Sequence, residues 1–350
     1  MRGCTIALLF ALLSLPGPSF PATVRIAILG LFRPTELVLR PAPGGVLRLE
    51  GGGDFILLED ASAARCRVSG NSVVCLAGQR ALSATTIRAA SRVRDATDLL
   101  LGVPGKIERR YRGTLEVRAS REELCAIIVM DREVAVASAV AAESPPGASL
   151  EALKAQAVVT RSYYTAGRGR HVGFDFCDTT HCQFLREPPA ANAPASLATA
   201  GTHDLVLSYE GSVLAALFSA SCGGRTRSLR EVGLPSEGYP YFPVDCAPCL
   251  RHARRWETRL EARDAAALLA GGPSENARLR VGRRLGWKAV PGSNYSARLD
   301  GEAVVVQGRG AGHGLGLCQV GAADMAEDGV VFQEILNHYY PNTTLGANDH

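Results

Sequence analysis

A single carboxylate, Glu143, stands at the end of an almost wholly apolar run. Val136, Val140 and Glu143 are spaced so that they would share one face of a helix, and the rest of that face is valine and alanine. The spacing predicts that Glu143 lies at a helix end, partly surrounded by apolar side chains. Because desolvation disfavours a charged carboxylate, such a group has a raised pKa and suits a general acid near neutral pH. A surface glutamate at a helix end is the alternative that this stretch leaves open.

A second chemical group is formed by His171, Cys177, His181 and Cys182, which fall within twelve residues. Two thiolates and two imidazoles are a ligand set for Zn²⁺, and four protein ligands leave no open position for a catalytic water, so such a site would be structural. The adjacent His181 and Cys182 do not follow the spacing of zinc fingers. A Cys177–Cys182 disulfide beside two solvated histidines remains the alternative.

A glycine-rich segment near the carboxyl end reads GRGAGHGLGLCQ, with five glycines between Gly308 and Gly316. A dinucleotide-binding loop would need a βαβ context, which the surrounding sequence lacks. Glycine here is better explained by close approach of the backbone to a ligand or to another segment. His313, in the middle of these glycines, is a candidate for substrate positioning.

Several kinds of element must position these residues, and together they predict an α+β fold. Residues 23–120 contain short apolar or alternating segments separated by Gly, Pro and Asp, which predicts a β-rich supporting domain. Residues 121–350 mix helical and strand patterns and would form the catalytic core. Within them, a turn at Pro145 separates two helices, with Ser149 placed to cap the second and Glu151 favourable to its dipole.

Later segments predict further elements of this core. LVLSYEGSVLAALF predicts a hairpin that turns at Glu210 and Gly211, and SARLD with EAVVVQG predicts another. Residues 256–285 are rich in Ala and Arg and predict helix, interrupted at 271–273. The chain would end with a short helix and a second helix that stops at Pro341.

The length, the composition and the first residues of the chain limit the possible classes of function. The chain has 350 residues, 47% of them hydrophobic, and a net charge of +4, which is weak for a nucleic-acid binder of this length. Arg2, the apolar run Cys4–Leu15 and the small-residue and proline stretch to Ala22 predict a secretory signal peptide. The apolar run is too short to span a bilayer. We therefore expect a secreted, periplasmic or cell-envelope protein without a membrane span after signal removal.

Cysteine usage fits export. Ten cysteines are present, and the nine that follow the signal segment are an odd number, so at least one is free, metal-bound or paired between chains. Cys66 and Cys75 bracket a short polar loop, which predicts a disulfide across a hairpin. Cys246 and Cys249 form a CxxC that is more often a disulfide element than a redox centre in an exported chain, and pairing with Cys222 stays open.

Six blocks of sequence, in order and at similar spacing, resemble the SpoIID/LytB family of stage II sporulation protein D and amidase-enhancer proteins. The resemblance extends over roughly two-thirds of the chain. The blocks are YRGTLEV, VAAE with EALKAQAVVTRSYY, HVGFDFCDTTHCQ, SASCGGRT with YPYF, GRGAGHGLGLCQVGA and EILNHYYPNTTL.

The resemblance implies a lytic transglycosylase that cleaves between N-acetylmuramic acid and N-acetylglucosamine in peptidoglycan. The family's catalytic glutamate, in its VxxE motif, falls on Glu143. Its zinc ligands fall on His171, Cys177, His181 and Cys182, which implies a structural zinc. The chain departs from the family where LCQVGA replaces the common MSQYGA. Polar residues inside the matched blocks are the candidates for substrate binding: Arg161, Tyr163, Gln183, Ser221, Thr226, His313 and Gln319.

One carboxylate is enough for this reaction, because the attacking nucleophile is a hydroxyl of the substrate itself. Hydrolysis of a glycosidic bond usually requires two. The family's other name suggests an alternative, a non-catalytic glycan-binding enhancer of a cell-wall amidase. A zinc hydrolase is disfavoured by the closed metal shell. The expected partners are peptidoglycan glycan strands and, in the alternative, an amidase, but no nucleic acid.

Overall fold

The computed structural model describes residues 23–59, 61–92, 98–235, 238–269 and 273–347. The signal peptide expected over residues 1–22 lies outside them. Strands and helices are both abundant in the described part, and the α+β fold class is confirmed. Among the described residues, no helix is both long and apolar enough to span a bilayer.

Strands dominate the chain up to residue 131, as the alternating segments predict. Their bounds are β1 Thr23–Ile28, β2 Glu36–Pro41, β3 Leu47–Gly51, β4 Asp54–Leu58, β5 Ala64–Ser69, β6 Ser72–Ala77, β7 Arg80–Ala84, β8 Thr86–Ser91, β9 Asp98–Val103, β10 Ile107–Arg112, β11 Thr114–Ser120 and β12 Glu123–Asp131. Alternate side chains point to one face, as Val24, Ile26 and Ile28 of β1 do, and are buried there.

These strands form two sheets. The first has the order β13-β1-β12-β11-β8-β3-β4, where β13 is Phe176–Cys177, and the second has the order β10-β9-β2-β5-β6-β7. A disulfide joins Cys66 and Cys75, which face each other on β5 and β6, as the sequence predicts. Strand β12 pairs with both β1 and β11, so the first sheet continues beyond residue 120.

Strand β12 leads directly into α1 (Arg132–Glu143), whose amino end is capped by Asp131. The Asp131 carboxylate accepts from the N–H groups of Glu133 at 2.8 Å and Val134 at 3.1 Å. Pro145 and Pro146 follow the end of α1 and prevent its continuation. The helix therefore stops with Glu143 as its last residue.

The second helix of this pair is α2 (Leu150–Ala166), which starts where the sequence predicts. Ser149 occupies the N-cap position, but its hydroxyl makes no capping hydrogen bond, which corrects the expected cap. Glu151 in the first turn instead accepts from the Phe332 N–H at 2.9 Å and pairs with Lys154. The start of α2 is thereby tied to a distant segment rather than capped locally.

The remaining elements follow in chain order. They are α3 Pro194–Ala200, β14 Leu205–Tyr209, β15 Ser212–Val213, β16 Phe218–Ser219, α4 Ala247–His252, β17 Arg255–Glu261, α5 Ala262–Ala265, α6 Glu275–Leu285, β18 Tyr295–Asp300, β19 Ala303–Arg309, β20 Leu317–Cys318, α7 Gln319–Glu327, α8 Phe332–Tyr339 and β21 Thr344–Ala347, with 3₁₀ turns at Gly30–Phe32, Arg230–Val232 and Ala266–Leu268. Small sheets have the orders β15-β14-β21, β16-β20 and β17-β19-β18, and both expected hairpins are present.

The first part of one expected helix is wrong. Of the segment 256–285, residues 256–261 lie in β17, which pairs along its whole length with β19. Helices α5 and α6 lie in the later part of that segment. The side chains of β17 alternate between exposed and half-buried, which is the period of a strand. Pairing with the apolar run Val304–Val306 outweighs the local helix propensity.

Helix α2 lies between two hydrophobic cores. Leu153, Ala157 and Tyr163 pack into the first core, with the two large sheets and α1. Val158 and Val159 pack into the second, with β14, α7 and α8. A third, smaller core lies against β19 and α6. Helix α1 packs on α2. Its carboxyl end therefore lies near the boundary between the first two cores.

Candidate functional site

Three segments meet at Glu143. Oε1 of its half-buried carboxylate accepts a hydrogen bond from the Phe184 N–H at 2.7 Å. Its backbone carbonyl accepts from Nε2 of Gln319 at 2.9 Å, and the same amide lies 3.3 Å from Oε1 of Gln156 on α2. The end of α1, the loop after the His and Cys set, and the start of α7 thus fix this carboxylate from different sides.

The environment of Glu143 favours its protonated form. Burial is the largest influence and raises the pKa of the carboxyl group, because a charged group loses solvation there. The hydrogen bond from Phe184 and the positive charge of Arg186 oppose this rise but do not cancel it. Glu143 therefore keeps its proton to a higher pH than an ordinary glutamate.

The four His and Cys residues also come together. The ligand atoms of His171, Cys177, His181 and Cys182 all lie within 4.8 Å of one another. Nε2 of His171 is 3.3 Å from Sγ of Cys182, and Nδ1 of His181 is 3.6 Å from the same sulfur. Both cysteines are free rather than joined in a disulfide. Two sulfur and two nitrogen donors that converge in this way fit a tetrahedral zinc ion.

One of the two sulfurs is already suited to bind a cation. A hydrogen bond from the Cys182 thiol, with help from Thr179 and His181, lowers the pKa of Cys177 to about 4 against the cost of burial. The thiolate is the form of cysteine that binds a metal. These contacts therefore favour the thiolate form of Cys177.

The loop that carries this set is anchored to the first sheet. Strand β13 pairs with β1, and the carboxylate of Asp175 accepts from the Arg25 N–H at 3.0 Å. Asp178 accepts from the Leu29 N–H at 2.9 Å. Only Gln183 separates Cys182 from Phe184. The position of the His and Cys set therefore constrains the position of the Phe184 N–H that binds Glu143.

Comparison with known proteins finds a similarity to one family over part of the chain. Residues 120–209 match the family model for SpoIID, stage II sporulation protein. An amidase enhancer of Bacillus subtilis is 25% identical over 279 residues, 58% of this chain and 39% of that protein. A stage II sporulation protein D of Bacillus amyloliquefaciens is 24% identical over 254 residues, 61% of this chain and 74% of that protein. Over these parts of its length the chain is similar to SpoIID and amidase-enhancer proteins.

A further relative, an uncharacterized protein of Brachyspira hyodysenteriae, is 27% identical over 261 residues, 66% of this chain and 70% of that protein. The SpoIID match contains Glu143 and the His and Cys set, from His171 to Cys182. Ser221, Thr226, His313 and Gln319 lie beyond its end at residue 209. The acid and the proposed metal ligands thus share the part of the chain that the SpoIID model covers.

Three of the expected substrate contacts are buried and make contacts within the protein. Arg161 is fully buried, and its guanidinium binds both carboxylate oxygens of Glu133, with Nη2 2.6 Å from Oε2. Tyr163 is buried against Phe176, with ring centres 5.4 Å apart. Thr226 is buried, and its hydroxyl accepts from the Val244 N–H at 2.8 Å. These side chains hold the fold together and do not reach the surface.

Gln319 and Gln183 flank Glu143 and remain candidates for shaping the groove. Both are buried. In the described part of the chain, Oε1 of Gln183 has no hydrogen-bond partner. A buried acceptor without a partner lowers the stability of the folded state unless a ligand or water donates to it. Gln183 is therefore the stronger candidate for a direct contact with a ligand.

The glycine-rich segment packs against the chain rather than standing open. Ala311 and Ser221 exchange two backbone hydrogen bonds of 2.9 and 3.0 Å. Gly310 has a φ of +78°, and a Cβ there would lie 2.8 Å from the Gly223 nitrogen, so glycine permits this close approach. The Ser221 hydroxyl lies 2.9 Å from Sγ of Cys249.

His313 is half-buried in the same segment, and its Nδ1 accepts from the Leu315 N–H at 3.0 Å. Desolvation lowers its pKa to about 4, although the charge of Glu275 acts in the opposite direction. The imidazole is therefore neutral at physiological pH and can accept or donate a hydrogen bond, but it does not supply a positive charge.

Phe184 is a site residue that sequence reasoning missed. Its backbone holds Glu143, and its ring is 37% exposed beside the carboxylate. The matched block HVGFDFCDTTHCQ stops at Gln183, and the sequence does not show which backbone N–H groups bind a distant side chain. Gln156 and Glu133 were missed for a similar reason, because helical spacing does not show which long-range partners they meet.

A separate concavity lies elsewhere. A groove of about 800 Å³ is lined by residues of β17, β18 and β19, including Trp256 and Gln307. Neither Glu143 nor Phe184 lines it. Glu257 also lines this groove, but it is exposed, whereas Glu143 is half-buried and has a raised pKa, so Glu143 is the stronger candidate for a general acid.

Proposed function

We propose that the protein is a peptidoglycan lytic transglycosylase that uses Glu143 as its single general acid and base. The observation that carries this proposal is the half-buried carboxylate with a raised pKa, held by the Phe184 N–H. Relatives named amidase enhancer and stage II sporulation protein D support a role at the cell wall. Such a substrate lies outside the cytoplasm, in agreement with the export that the first 22 residues predict.

In the first step, protonated Glu143 donates its proton to the oxygen between N-acetylmuramic acid and N-acetylglucosamine. The bond from this oxygen to the anomeric carbon of the muramic acid breaks, and N-acetylglucosamine leaves with a free hydroxyl. Because Phe184 binds Oε1, we assign the transferred proton to Oε2. The raised pKa keeps this proton available near neutral pH.

In the second step, the Glu143 carboxylate removes the proton from the primary hydroxyl of the same muramic acid residue. The hydroxyl oxygen attacks the anomeric carbon and closes an anhydro ring. No water is consumed, and Glu143 regains the proton that it gave away. The nucleophile is already tethered to the reacting centre, so proximity replaces the second carboxylate of a hydrolase.

The His and Cys set would support this site through the loop that carries Phe184. A zinc ion bound to His171, Cys177, His181 and Cys182 would cross-link the loop that ends at Phe184 and would use all four protein ligands, leaving its role structural. The chain's own contribution is the rigid placement of the Phe184 N–H. The exposed ring of Phe184 offers an apolar face on which a sugar ring can rest.

Digestion of peptide-stripped glycan strands tests the proposal. The purified protein is expected to produce anhydro-muramyl ends, read by mass spectrometry, and Glu143→Gln is expected to abolish them. Glu122→Gln, which alters an exposed glutamate in the turn between β11 and β12, is the matched control and should keep full activity. Ends that form equally with Glu143→Gln would refute the assignment of the acid.

A second candidate is a non-catalytic enhancer of a cell-wall amidase. The relative of Bacillus subtilis that bears this name favours it. Under this candidate, glycan strands bind but no new ends form, and a separate amidase releases stem peptides faster when the protein is added. Glu143→Gln would leave that stimulation intact.

A further inference from the structure

Four cysteines that are distant in sequence meet at one buried place. Cys222, Cys246, Cys249 and Cys318 are all buried, and their sulfur atoms all lie within 4.8 Å of one another. They lie beyond residues 120–209, the part of the chain that matches SpoIID. We propose that these residues form a second metal site, in which four thiolates bind one zinc ion.

The spacing of the sulfurs suits a single ion. Zn–S bonds of about 2.3 Å put the corners of a tetrahedron about 3.8 Å apart, which is within the observed limit. A four-iron cluster needs its cysteines further apart, because iron and sulfide atoms must fit between them. The convergence of all four atoms on one point is also unlike two separate disulfides, and none of the four is disulfide-bonded in the structure.

Hydrogen-bond donors surround the sulfurs. The Cys222 N–H donates to Sγ of Cys318 at 3.3 Å, and the Gly321 N–H donates to the same sulfur at 3.4 Å. The Gly223 N–H donates to Sγ of Cys249 at 3.2 Å. Such donors stabilise the negative charge of thiolates bound to a metal, whereas a disulfide sulfur is neutral and gains little from them.

The elements that carry the ligands are typical of a zinc site. Cys246 and Cys249 have the C-x₂-C spacing of zinc ligands, at the start of α4. Cys318 is the N-cap of α7, where the positive end of a nine-residue helix favours a thiolate. On that helix a Cβ at Gly321 would lie 2.5 Å from Sγ of Cys246, so only glycine fits beside the sulfur.

The site also accounts for the odd number of cysteines. Cys66 and Cys75 form the disulfide, Cys177 and Cys182 belong to the first metal set, and four more meet here. Among the described residues only Cys125 is then left outside any group, half-buried and free. The odd cysteine is thus a single thiol on β12.

The second site has a consequence for Glu143. Cys318 directly precedes Gln319, whose side chain donates to the Glu143 carbonyl. A metal ion at Cys318 would fix the first turn of α7 and therefore the position of that amide. The first metal set holds the carboxylate through Phe184, and the second would hold the backbone of the same residue.

Metal analysis of the full exported chain, purified without reductant or chelator, tests the second site. The first-site variant Cys177→Ser/Cys182→Ser removes two ligands of the first set. We expect about two zinc ions per chain in the wild type and about one in this variant. X-ray absorption of the variant should show four sulfur ligands at about 2.3 Å. A wild type and variant that each hold about one zinc would support the second site and refute the first.

Three results would overturn the second site. The first is a variant without zinc whose wild type holds about one ion. The second is a disulfide between any of Cys222, Cys246, Cys249 and Cys318, found by non-reducing peptide mapping of the purified chain. The third is bound iron with its strong visible absorption, which would refute zinc.

Two further variants sharpen the assignment. Cys249→Ser should lower the zinc content of the wild type by about one ion, whereas Cys125→Ser should leave it unchanged. The X-ray absorption of the first-site variant decides the matter even if Cys249→Ser does not fold. None of these readouts depends on catalytic activity, so failure of the proposed transglycosylase function would not affect them.

Discussion

The backbone N–H of Phe184 donates to Oε1 of Glu143 at 2.7 Å. This bond connects the carboxyl end of α1 to the loop that carries Cys182, which lies two residues before Phe184. The candidate acid and the candidate metal set are therefore parts of one structure, although 39 residues of sequence separate Glu143 from Cys182.

Removal of the first metal set should weaken the reaction without removing the acid. His181→Ala deletes one ligand, loosens the loop and shifts the Phe184 N–H from the carboxylate. A displacement of about 1 Å near a reacting group can cost about 100-fold in rate, so we expect a loss of this order in kcat on glycan strands. Cys125→Ser should keep full rate. An unchanged kcat in a metal-depleted His181→Ala protein would show that the loop does not position the acid.

The pH dependence of the reaction should follow Glu143. Since the acid must carry its proton, kcat/KM should fall as pH rises through the raised pKa of Glu143. Arg186→Ala removes a positive charge that lowers this pKa, so the falling limb should move to higher pH. The exposed Arg88 on β8 provides a matched control, and Arg88→Ala should leave the profile in place. A shift to lower pH in Arg186→Ala would contradict the assignment.

Glu143 should reduce stability at neutral pH. Its pKa in the folded state is raised above the unfolded value of about 4.3, so the folded state loses stability as pH rises through the folded pKa. Glu143→Gln cannot ionise and keeps a group that accepts from Phe184. Urea unfolding should therefore show a higher free energy of unfolding for Glu143→Gln at pH 7.5 than for the wild type. The gain should vanish below about pH 4.

The matched control for this measurement is Glu122→Gln, which changes an exposed carboxylate and should show no such pH-dependent gain. A Glu143→Gln protein that is less stable than the wild type at neutral pH would mean that the charged carboxylate is favoured by its surroundings.

Arg161 should act through stability rather than substrate binding. Truncation to Ala leaves Glu133 with only the longer 3.3 Å contact to Arg132, and breaking a buried pair costs about 3–5 kcal/mol in free energy of unfolding. Arg161→Lys should also be destabilising, because an ammonium group cannot bind both carboxylate oxygens in the same way. Chemical denaturation measures the loss. A rise in KM at unchanged stability would instead favour direct contact with substrate.

The ring of Phe184 should contribute to binding. Phe184→Ala retains the backbone N–H and so keeps the hydrogen bond to Glu143, but it removes the exposed aromatic surface. We expect KM for glycan strands to rise roughly two- to tenfold, the value of one aromatic contact, with the pH profile unchanged. Phe55→Ala, at an exposed phenylalanine on β4, is the control. Equal KM values for the two variants would exclude a stacking role.

Local patterns predicted much of this molecule. The alternating strands, the end of α1 at Glu143 and the start of α2 after Ser149 depend on periodicity and on proline, which act over a few residues. The strand β17 was missed because its partner, β19, lies about 50 residues later in the chain. Pairing over such distances is a tertiary effect that a local composition does not reveal.

Only some residues of the candidate site could be predicted from the sequence. The apolar helical run directly before Glu143 points to that residue, and the His and Cys residues cluster within twelve positions. Arg161 was expected at the substrate because it is a polar residue inside a matched block, and its ion pair with Glu133, 28 residues earlier, is not apparent from the sequence. The meeting of Cys222 with Cys318, 96 residues apart, depends on how β16 and β20 pair and could not be read from spacing.

The central claim is that the substrate's own hydroxyl, and not water, completes the reaction that Glu143 starts. Mass spectrometry of glycan strands digested in water labelled with heavy oxygen tests it most directly. We expect anhydro-muramyl ends that are lighter than a hydrolysis product by one water, carry no label and are absent with Glu143→Gln. Reducing ends that carry the label would show hydrolysis and would contradict attack by the substrate's own hydroxyl.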